Sequence, residues 1–231
     1  MEPEISLVVP TFNESGNIEL FLRQACAALA GISHEILVVD DSSPDGTAEI
    51  VRAYASTCNC EIHILVRSGQ RGLSGAVLHG FEASRGRFLG VMDADLSHDA
   101  RILPKLVEAV RQGADVAVGS RRIPGGGADH WPWYRRLASD LATGLAKLCV
   151  RVSVKDPMSG FFIMRRQIYE RVLGNIQPQG YKILLEILCR ARPDRVIEIP
   201  YVFRDRHQGH SKVNPDVAWQ YFRMLWKLRR T

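Results

Sequence analysis

Five short apolar runs, Ile5 to Val9, Glu35 to Val39, Glu61 to Val66, Arg87 to Met92 and Asp115 to Val118, punctuate the first half of the chain. Runs of this length, rich in Val and Ile, predict the buried strands of a parallel sheet. Between them lie segments of helical length: Glu14 to Ala30, Asp45 to Ser56, Gly75 to Ser84 and Ala100 to Gln112. This alternation predicts an α/β fold with a doubly wound, mostly parallel sheet and helices on both faces. Beyond residue 120 the rhythm changes, with a glycine run at Gly125-Gly126-Gly127, an aromatic cluster at Trp131-Pro132-Trp133-Tyr134 and a helix-like Leu137 to Val150. The glycines permit backbone mobility and leave two readings open, a movable flap over the strand ends or a plain surface connection. A helix at Tyr181 to Ala191 and a strand at Val196 to Val202 follow Asp156-Pro157-Met158-Ser159-Gly160. No internal repeat or low-complexity tract interrupts this order.

In a sheet of this kind ligands collect beyond the carboxyl ends of the strands. The polar residues after successive runs therefore converge: Thr11-Phe12-Asn13-Glu14, Asp40-Asp41-Ser42-Ser43, Arg67, Asp93-Ala94-Asp95 and Gly119-Ser120-Arg121. Asp93 and Asp95, two residues apart after an apolar run, have the spacing of a pair that shares a hard divalent cation with substrate phosphates. An isolated D-x-D is more often a strand ending in a polar turn; the convergence of polar groups after strand after strand favours a site. The glycine fingerprint of dinucleotide enzymes is missing after the first run, which argues against a nicotinamide oxidoreductase.

Composition narrows the partners. The chain has 231 residues, 46% of them hydrophobic, enough to bury a proper core. Its net charge of +5 suits an anionic ligand or a membrane surface without requiring nucleic acid. The five cysteines, Cys26, Cys58, Cys60, Cys149 and Cys189, are odd in number, and the Cys58/Cys60 spacing fits neither a zinc knuckle nor a C-x-x-C redox pair. Reduced, mostly buried thiols in a cytoplasmic protein are expected. The acidic start, Met1-Glu2-Pro3-Glu4, does not read as a signal peptide, and no apolar stretch reaches the ~18 residues of a membrane span. From Asp216 onward Trp219, Tyr221, Phe222, Met224, Leu225, Trp226 and Leu228 are interleaved with Arg223, Lys227, Arg229 and Arg230, a basic amphipathic pattern. Such a helix lies on a membrane interface or docks on its own domain.

Several segments together resemble the dolichyl-phosphate (polyprenyl-phosphate) mannosyltransferases, inverting family-2 glycosyltransferases of the A-type nucleotide-diphospho-sugar transferase fold. They are PTFNE at Pro10, VDDSSPDGT at Val39, GLSGAVLHG at Gly72, MDADLSH at Met92, GSR at Gly119, DPMSGFF at Asp156, GYKILLE at Gly180 and PYVFRDRHQGHSK at Pro200. The resemblance spans nearly the whole chain. It implies one catalytic domain over residues 1–212, with 213–231 as a C-terminal basic amphipathic helix. Carried across position by position, it implies that Pro10, Phe12, Glu14, Val39 and Asp41 hold the nucleoside of a sugar nucleotide, GDP-mannose, with Asp93 and Ala94 near its ribose and sugar. Asp95 and Ser97 would ligate Mg²⁺ or Mn²⁺ on the diphosphate, and Arg121, Arg135, Arg206 and Lys212 would form the cationic wall, with Asp93, Asp95, Arg121 and Arg135 closest to the chemistry. The chain departs from many relatives in having Ser at position 97 rather than Gln, Arg at 122 rather than Tyr, and Asp99-Ala100 rather than a proline pair. His98 and His207 read as turn or hydrogen-bonding residues.

The reaction implied is inverting transfer of mannose to the phosphate of dolichol or another polyprenol. A phosphate monoester has a second pKa of about 6, so the acceptor already presents an oxyanion and needs no general base. Catalysis then consists of alignment and charge neutralisation. The resemblance also implies a peripheral protein at the cytoplasmic face of a membrane; some relatives carry transmembrane helices after the catalytic domain and others rely on a separate membrane subunit. The competing readings are the same acceptor with another donor such as UDP-glucose, and a catalytically silent domain that binds nucleotide or recruits a membrane partner. Retention of both carboxylates and all four basic positions argues against silence.

Overall fold

The computed structural model describes residues 2–69, 71–129, 133–150, 153–176, 182–204 and 223–228; within 133–150 it describes side chains only for 139–147. In chain order the elements are β1 (Ile5–Thr11), α1 (Ile18–Ala28), β2 (His34–Asp40), α2 (Thr47–Ala55), β3 (Glu61–Val66), α3 (Leu73–Ala83) and β4 (Phe88–Val91). A 3₁₀ turn (Ala100–Ile102) leads into α4 (Leu103–Arg111), β5 (Val116–Ser120), the two-residue β6 (Gly127–Ala128) and α5 (Trp133–Val150). Then come β7 (Phe162–Arg165), α6 (Arg166–Glu170), α7 (Ile183–Ala191), β8 (Val196–Pro200) and β9 (Val202–Phe203), and residues 223–228 form a last helical segment, α8.

The seven-stranded sheet has the order β3-β2-β1-β4-β7-β5-β8. Its pairings are parallel except the two made by β7, which is antiparallel to both β4 and β5. The central strands are buried on both faces, and successive side chains divide between two cores as the two-residue repeat of a strand requires. Ile5, Leu7 and Val9 face the core under α1, α2 and α4, where Phe21, Leu22, Val51, Leu106 and Val110 meet them. Val8, Leu37 and Val39 face the opposite core under α3, α6 and α7, with Val77, Phe81, Tyr169 and Ile187. Each fully buried Leu, Ile or Phe contributes about 1.5–3 kcal/mol relative to exposure. Close helix-to-sheet approach is set at Gly80, where an added Cβ would lie 2.4 Å from Val8 Cγ1.

The expected doubly wound sheet with helices on both faces is therefore present. What the apolar runs did not reveal is β7, and it matters for the site. An antiparallel strand presents its beginning, not its end, to the edge where its parallel neighbours finish. The loop Asp156–Gly160 that precedes β7 is thereby delivered to the carboxyl ends of β4 and β5.

The glycine run does not form a free flap at its start. Gly127 N donates to Tyr201 O (3.1 Å) and Asp129 N to Phe203 O (2.9 Å), closing a small parallel pair of β6 with β9. A Cβ at Gly126 would stand 2.5 Å from Ser120 O, so glycine here allows close approach of two backbone segments. Residues 130–132 lie outside the described residues.

Candidate functional site

The crevice beyond the carboxyl ends of β1, β2, β4 and β5 is built on tightly curled loops. Asn13, Ser42 and Leu96 have positive φ values of 61°, 54° and 62°, a left-handed backbone that non-glycine residues adopt at a cost of about 1–2 kcal/mol. All three lie just after strands that end in the crevice, where such strain concentrates at functional sites. At Leu96 the curl has a visible purpose. It returns the Ser97 amide to Asp95 Oδ1 (3.1 Å), and the Ser97 hydroxyl donates to the same oxygen. Asp95 and Ser97 are both buried, so a carboxylate and a hydroxyl stand together with little water. This is an all-oxygen donor set, the type a hard divalent cation prefers.

One side of the crevice is organised by two adjacent aspartates. Asp40 accepts from Thr11 Oγ1 (3.0 Å) and the Ser43 amide (2.8 Å), which fixes the β1 and β2 loops to each other. Asp41 accepts from Arg67 Nε (2.7 Å) and the Gly72 amide (2.8 Å), tying the β2 end to the β3–α3 loop. Glu14 accepts from Asn17 Nδ2 (2.7 Å), and its own amide donates to Thr47 Oγ1 (3.0 Å). The Arg71 guanidinium lies 4.3 Å from the centroid of the Phe12 ring. Pro10, Phe12, Glu14 and Asp41 thus share one wall. Val39 and Ala94 are buried, and Val39 O accepts from Thr11 Oγ1 (3.4 Å).

On the other side Arg121 is held from three directions by Asp156. Arg121 Nε donates to Oδ2 (2.7 Å), a terminal nitrogen to Oδ1 (2.8 Å), and the Arg121 amide to Oδ2 (3.1 Å). Burial alone works against the guanidinium charge, but the Asp156 carboxylate more than offsets it and raises the Arg121 pKa above its ordinary value. Asp156 is fully buried; burial pushes its pKa up, and the Arg121 hydrogen bonds and charge pull it below the usual carboxylate range. The Asp156 amide donates to Glu198 Oε1 (3.0 Å), so β8 secures the loop.

A chain of aromatic contacts joins the two sides. His98 Nε2 approaches Asp93 Oδ2 (3.3 Å) while Nδ1 meets the Tyr201 hydroxyl (2.8 Å). The His98 ring centroid stands 5.2–5.5 Å from those of Phe161, Tyr201 and Phe203, Phe161 and Tyr201 stand 5.7 Å apart, and the Arg121 guanidinium lies 5.4 Å from the Phe203 centroid. Asp93 also touches the β7 loop, since a Cβ on Gly160 would meet its Oδ2 at 2.8 Å. Lys182 sits within the field of this group: burial and the Arg121 charge lower its pKa, against the opposing pull of Asp93 and Asp156. Beside Arg121 an open cavity of about 340 Å³ is lined by Arg122, Asp129, Ser139, Asp140 and Val202, with Arg122 paired to Asp140.

The predicted residues Pro10, Phe12, Glu14, Asp41, Asp93, Ala94, Asp95, Ser97 and Arg121 therefore gather at one edge of the sheet. Arg135 lies in the first part of α5, and its side chain is outside the described atoms, as are Arg206, His207 and Lys212 altogether. Sequence reasoning placed Arg67 among the residues that converge on the crevice but did not assign Asp156, Tyr201 or Lys182 to the site, and it gave His98 only a turn or hydrogen-bonding role. The motifs DPMSGFF, GYKILLE and PYVFRDRH were the signal that three of these carried.

A crevice with paired carboxylates on one strand end and a clamped arginine on the next, in a sheet with this order, defines a nucleotide-sugar transferase of the A-type fold. The chain belongs to glycosyl transferase family 2, whose characteristic sequence pattern matches residues 6–173. It is 38% identical over 229 residues to the dolichol-phosphate mannosyltransferase of Pyrococcus furiosus, a match covering 98% of this chain and 64% of that protein. The dolichol-phosphate mannosyltransferase of Saccharomyces cerevisiae is 38% identical over 238 residues, covering 99% of this chain and 88% of that one. Among solved structures, a mannosyltransferase from Pyrobaculum calidifontis in complex with GDP-Man and Mn²⁺ superposes with a TM-score of 0.67 at 21% identity, covering 98% of this chain and 65% of that chain. At that identity the likeness speaks for the fold.

Proposed function

We propose that this protein transfers mannose from GDP-mannose to the phosphate of a polyprenol, with inversion at the anomeric carbon. The observation that carries the reading is the strong identity, over nearly the entire chain, to relatives named for this activity. The crevice geometry is consistent with it. Pro10, Phe12, Glu14 and Asp41 offer a nucleoside wall with Val39 contributing backbone, and Asp93 with Ala94 adjoins the sugar. Asp95 and Ser97 would hold Mg²⁺ or Mn²⁺, which when bound offsets charge on the departing diphosphate. Arg121 offers a fixed cation beside the same charge; its clamp by Asp156 means that no side-chain ordering is needed when substrate arrives. Arg135, Arg206 and Lys212 complete the basic wall in this reading.

The acceptor phosphate enters through the cavity beside Arg121 and Arg122. It carries roughly −1.5 to −2 charge near neutrality, so it attacks without a base, and the residues align it and lower the repulsion between two anions. A long apolar acceptor places the protein on a membrane surface, where exposed Leu141, Leu145 and Trp226 supply apolar contact. Among the described residues no helix is long and apolar enough to cross a membrane.

Incubating the chain with radiolabelled GDP-mannose or UDP-glucose and short polyprenyl phosphates, with and without Mg²⁺ or Mn²⁺, tests the reading. Mannose should appear in the lipid product only with a divalent cation, and Asp95→Ala should reduce it to background. Transfer from UDP-glucose alone would replace the donor, and donor binding without any transfer would overturn the enzymatic reading.

A further inference from the structure

At the opposite, amino end of the sheet, three side chains from three different elements meet. Cys26 in α1, His34 at the start of β2 and Cys60 just before β3 bring one ligand atom each to within 4.8 Å of one another. Cys58 lies beside them, its thiol directed at the carbonyls of Ala55 (3.9 Å) and Cys60 (3.6 Å). None of Cys26, Cys58 and Cys60 is in a disulfide.

The imidazole is the telling group. His34 Nδ1 is 2.7 Å from the Ile32 carbonyl, which can only accept, so Nδ1 carries the proton and Nε2 holds the lone pair. His34 Nε2 is shielded from solvent and has no hydrogen-bond partner among the described residues. An imidazole that donates one N–H to a backbone carbonyl and keeps the other nitrogen bare is oriented as a metal ligand is. A buried polar atom with nothing to bond is otherwise a cost. Two thiols and one imidazole form a soft donor set, which selects Zn²⁺ over the hard cations suited to the crevice. With Zn–S bonds of about 2.3 Å, tetrahedral sulfurs stand about 3.8 Å apart, so the sulfurs, within 4.8 Å of each other, need approach by at most about 1 Å.

A neighbouring cluster shows the contrast. Glu35, Glu61 and His63 also converge, but the Arg85 guanidinium already occupies that group, donating to Glu35 Oε2 (2.8 Å) and pairing with Glu61.

We propose that Cys26, His34 and Cys60 form a structural zinc site, with a fourth position open to Cys58. It lies away from the catalytic crevice and ties α1 to the starts of β2 and β3. On binding, Zn–S bonds form to Cys26 and Cys60 as their two thiol protons pass to buffer, and the His34 Nε2 lone pair completes the protein's share. The two-residue spacing of Cys58 and Cys60 concealed the site, because its ligands are distant in sequence.

The test uses the full chain, reduced with a non-thiol reductant, in an Asp95→Asn background so that the crevice does not compete for metal. Titration with Co²⁺ as a spectroscopic probe should give a thiolate-to-cobalt charge-transfer band and tetrahedral d–d bands that saturate at one ion per chain and vanish on adding Zn²⁺. The bands should be lost in Cys26→Ser and Cys60→Ser and kept in Cys189→Ser. As a check that needs no cysteine variant, Zn²⁺ should slow alkylation of Cys26 and Cys60, mapped by mass spectrometry, by about tenfold or more relative to Cys189. A reduced chain that shows no bands, bands that persist in Cys26→Ser, or alkylation of Cys26 and Cys60 unaffected by Zn²⁺ would each overturn the proposal.

Discussion

Asp156 shows how one residue couples stability to chemistry. Its carboxylate has no exposed surface and binds Arg121 through both oxygens, and Glu198 anchors its amide in turn. Because its folded pKa lies below the ordinary carboxylate value, the unfolded chain binds more protons in the acid range. The stabilisation is thus present above about pH 4, the unfolded pKa, and is lost as pH falls through the folded pKa. Asp156→Asn keeps the shape but strands the Arg121 charge, and we expect a loss of about 3 kcal/mol at neutral pH, the low end for breaking a buried pair. Urea unfolding across the range from about pH 7 to about pH 3 should show a flatter acid limb in the variant than in the parent. Equal acid slopes in both proteins would mean that Asp156 does not carry this charge. The sequence showed Arg121 and a conspicuous DPMSGFF motif, but their pairing across 35 positions is a product of β7 running backward through the sheet.

At the scale of elements, the long periodic segments were legible and their edges were not. α1 was predicted over Glu14 to Ala30 and forms Ile18–Ala28, because Glu14 turns back to hold Asn17 and Thr47 instead of entering the helix. The predicted Val196 to Val202 strand divides at Tyr201, whose buried ring packs on His98 and Phe161, into β8 and β9. The basic amphipathic tail was left between two fates, membrane or self. In α8 Leu225 and Leu228 are buried against Leu185 and Ala146, whereas Trp226 is 57% exposed. The described part of this helix therefore docks on α5 and α7 and turns an aromatic ring outward. Leu225→Ala should cost about 2 kcal/mol and raise hydrogen exchange in residues 223–228. A joint Trp226→Ser and Leu141→Ser change should leave the unfolding midpoint in place while lowering flotation with anionic liposomes. Flotation equal to the parent would remove α8 and α5 from the membrane surface.

For the molecule as a whole, convergence of the strand ends was legible because a parallel sheet leaves few other places for polar residues after each strand to go. Charge relationships across the crevice were not, since His98 bridging Asp93 to Tyr201 and the Arg121 contact with Phe203 depend on β7 and β8 joining the far side of the sheet. The resulting crevice has carboxylates on one wall and a clamped cation on the other, so neither a free cation nor a free nucleotide is its best occupant. In the proposed metal site, a divalent cation brought alone would gain the oxygen donors of Asp95 and Ser97 but lack phosphate oxygens, which such ions ordinarily share. In the proposed binding mode, GDP-mannose brought alone would set its diphosphate beside the Asp93 and Asp95 carboxylates without compensation. The two ligands should therefore bind cooperatively. In thermal unfolding, Mn²⁺ and GDP-mannose together should stabilise the protein by more than the sum of their separate effects, approaching about 2.7 kcal/mol at a hundredfold excess over Kd. Asp95→Asn should erase that surplus while leaving the unliganded midpoint near its starting value. Strictly additive shifts in the parent would show that cation and diphosphate do not share this site.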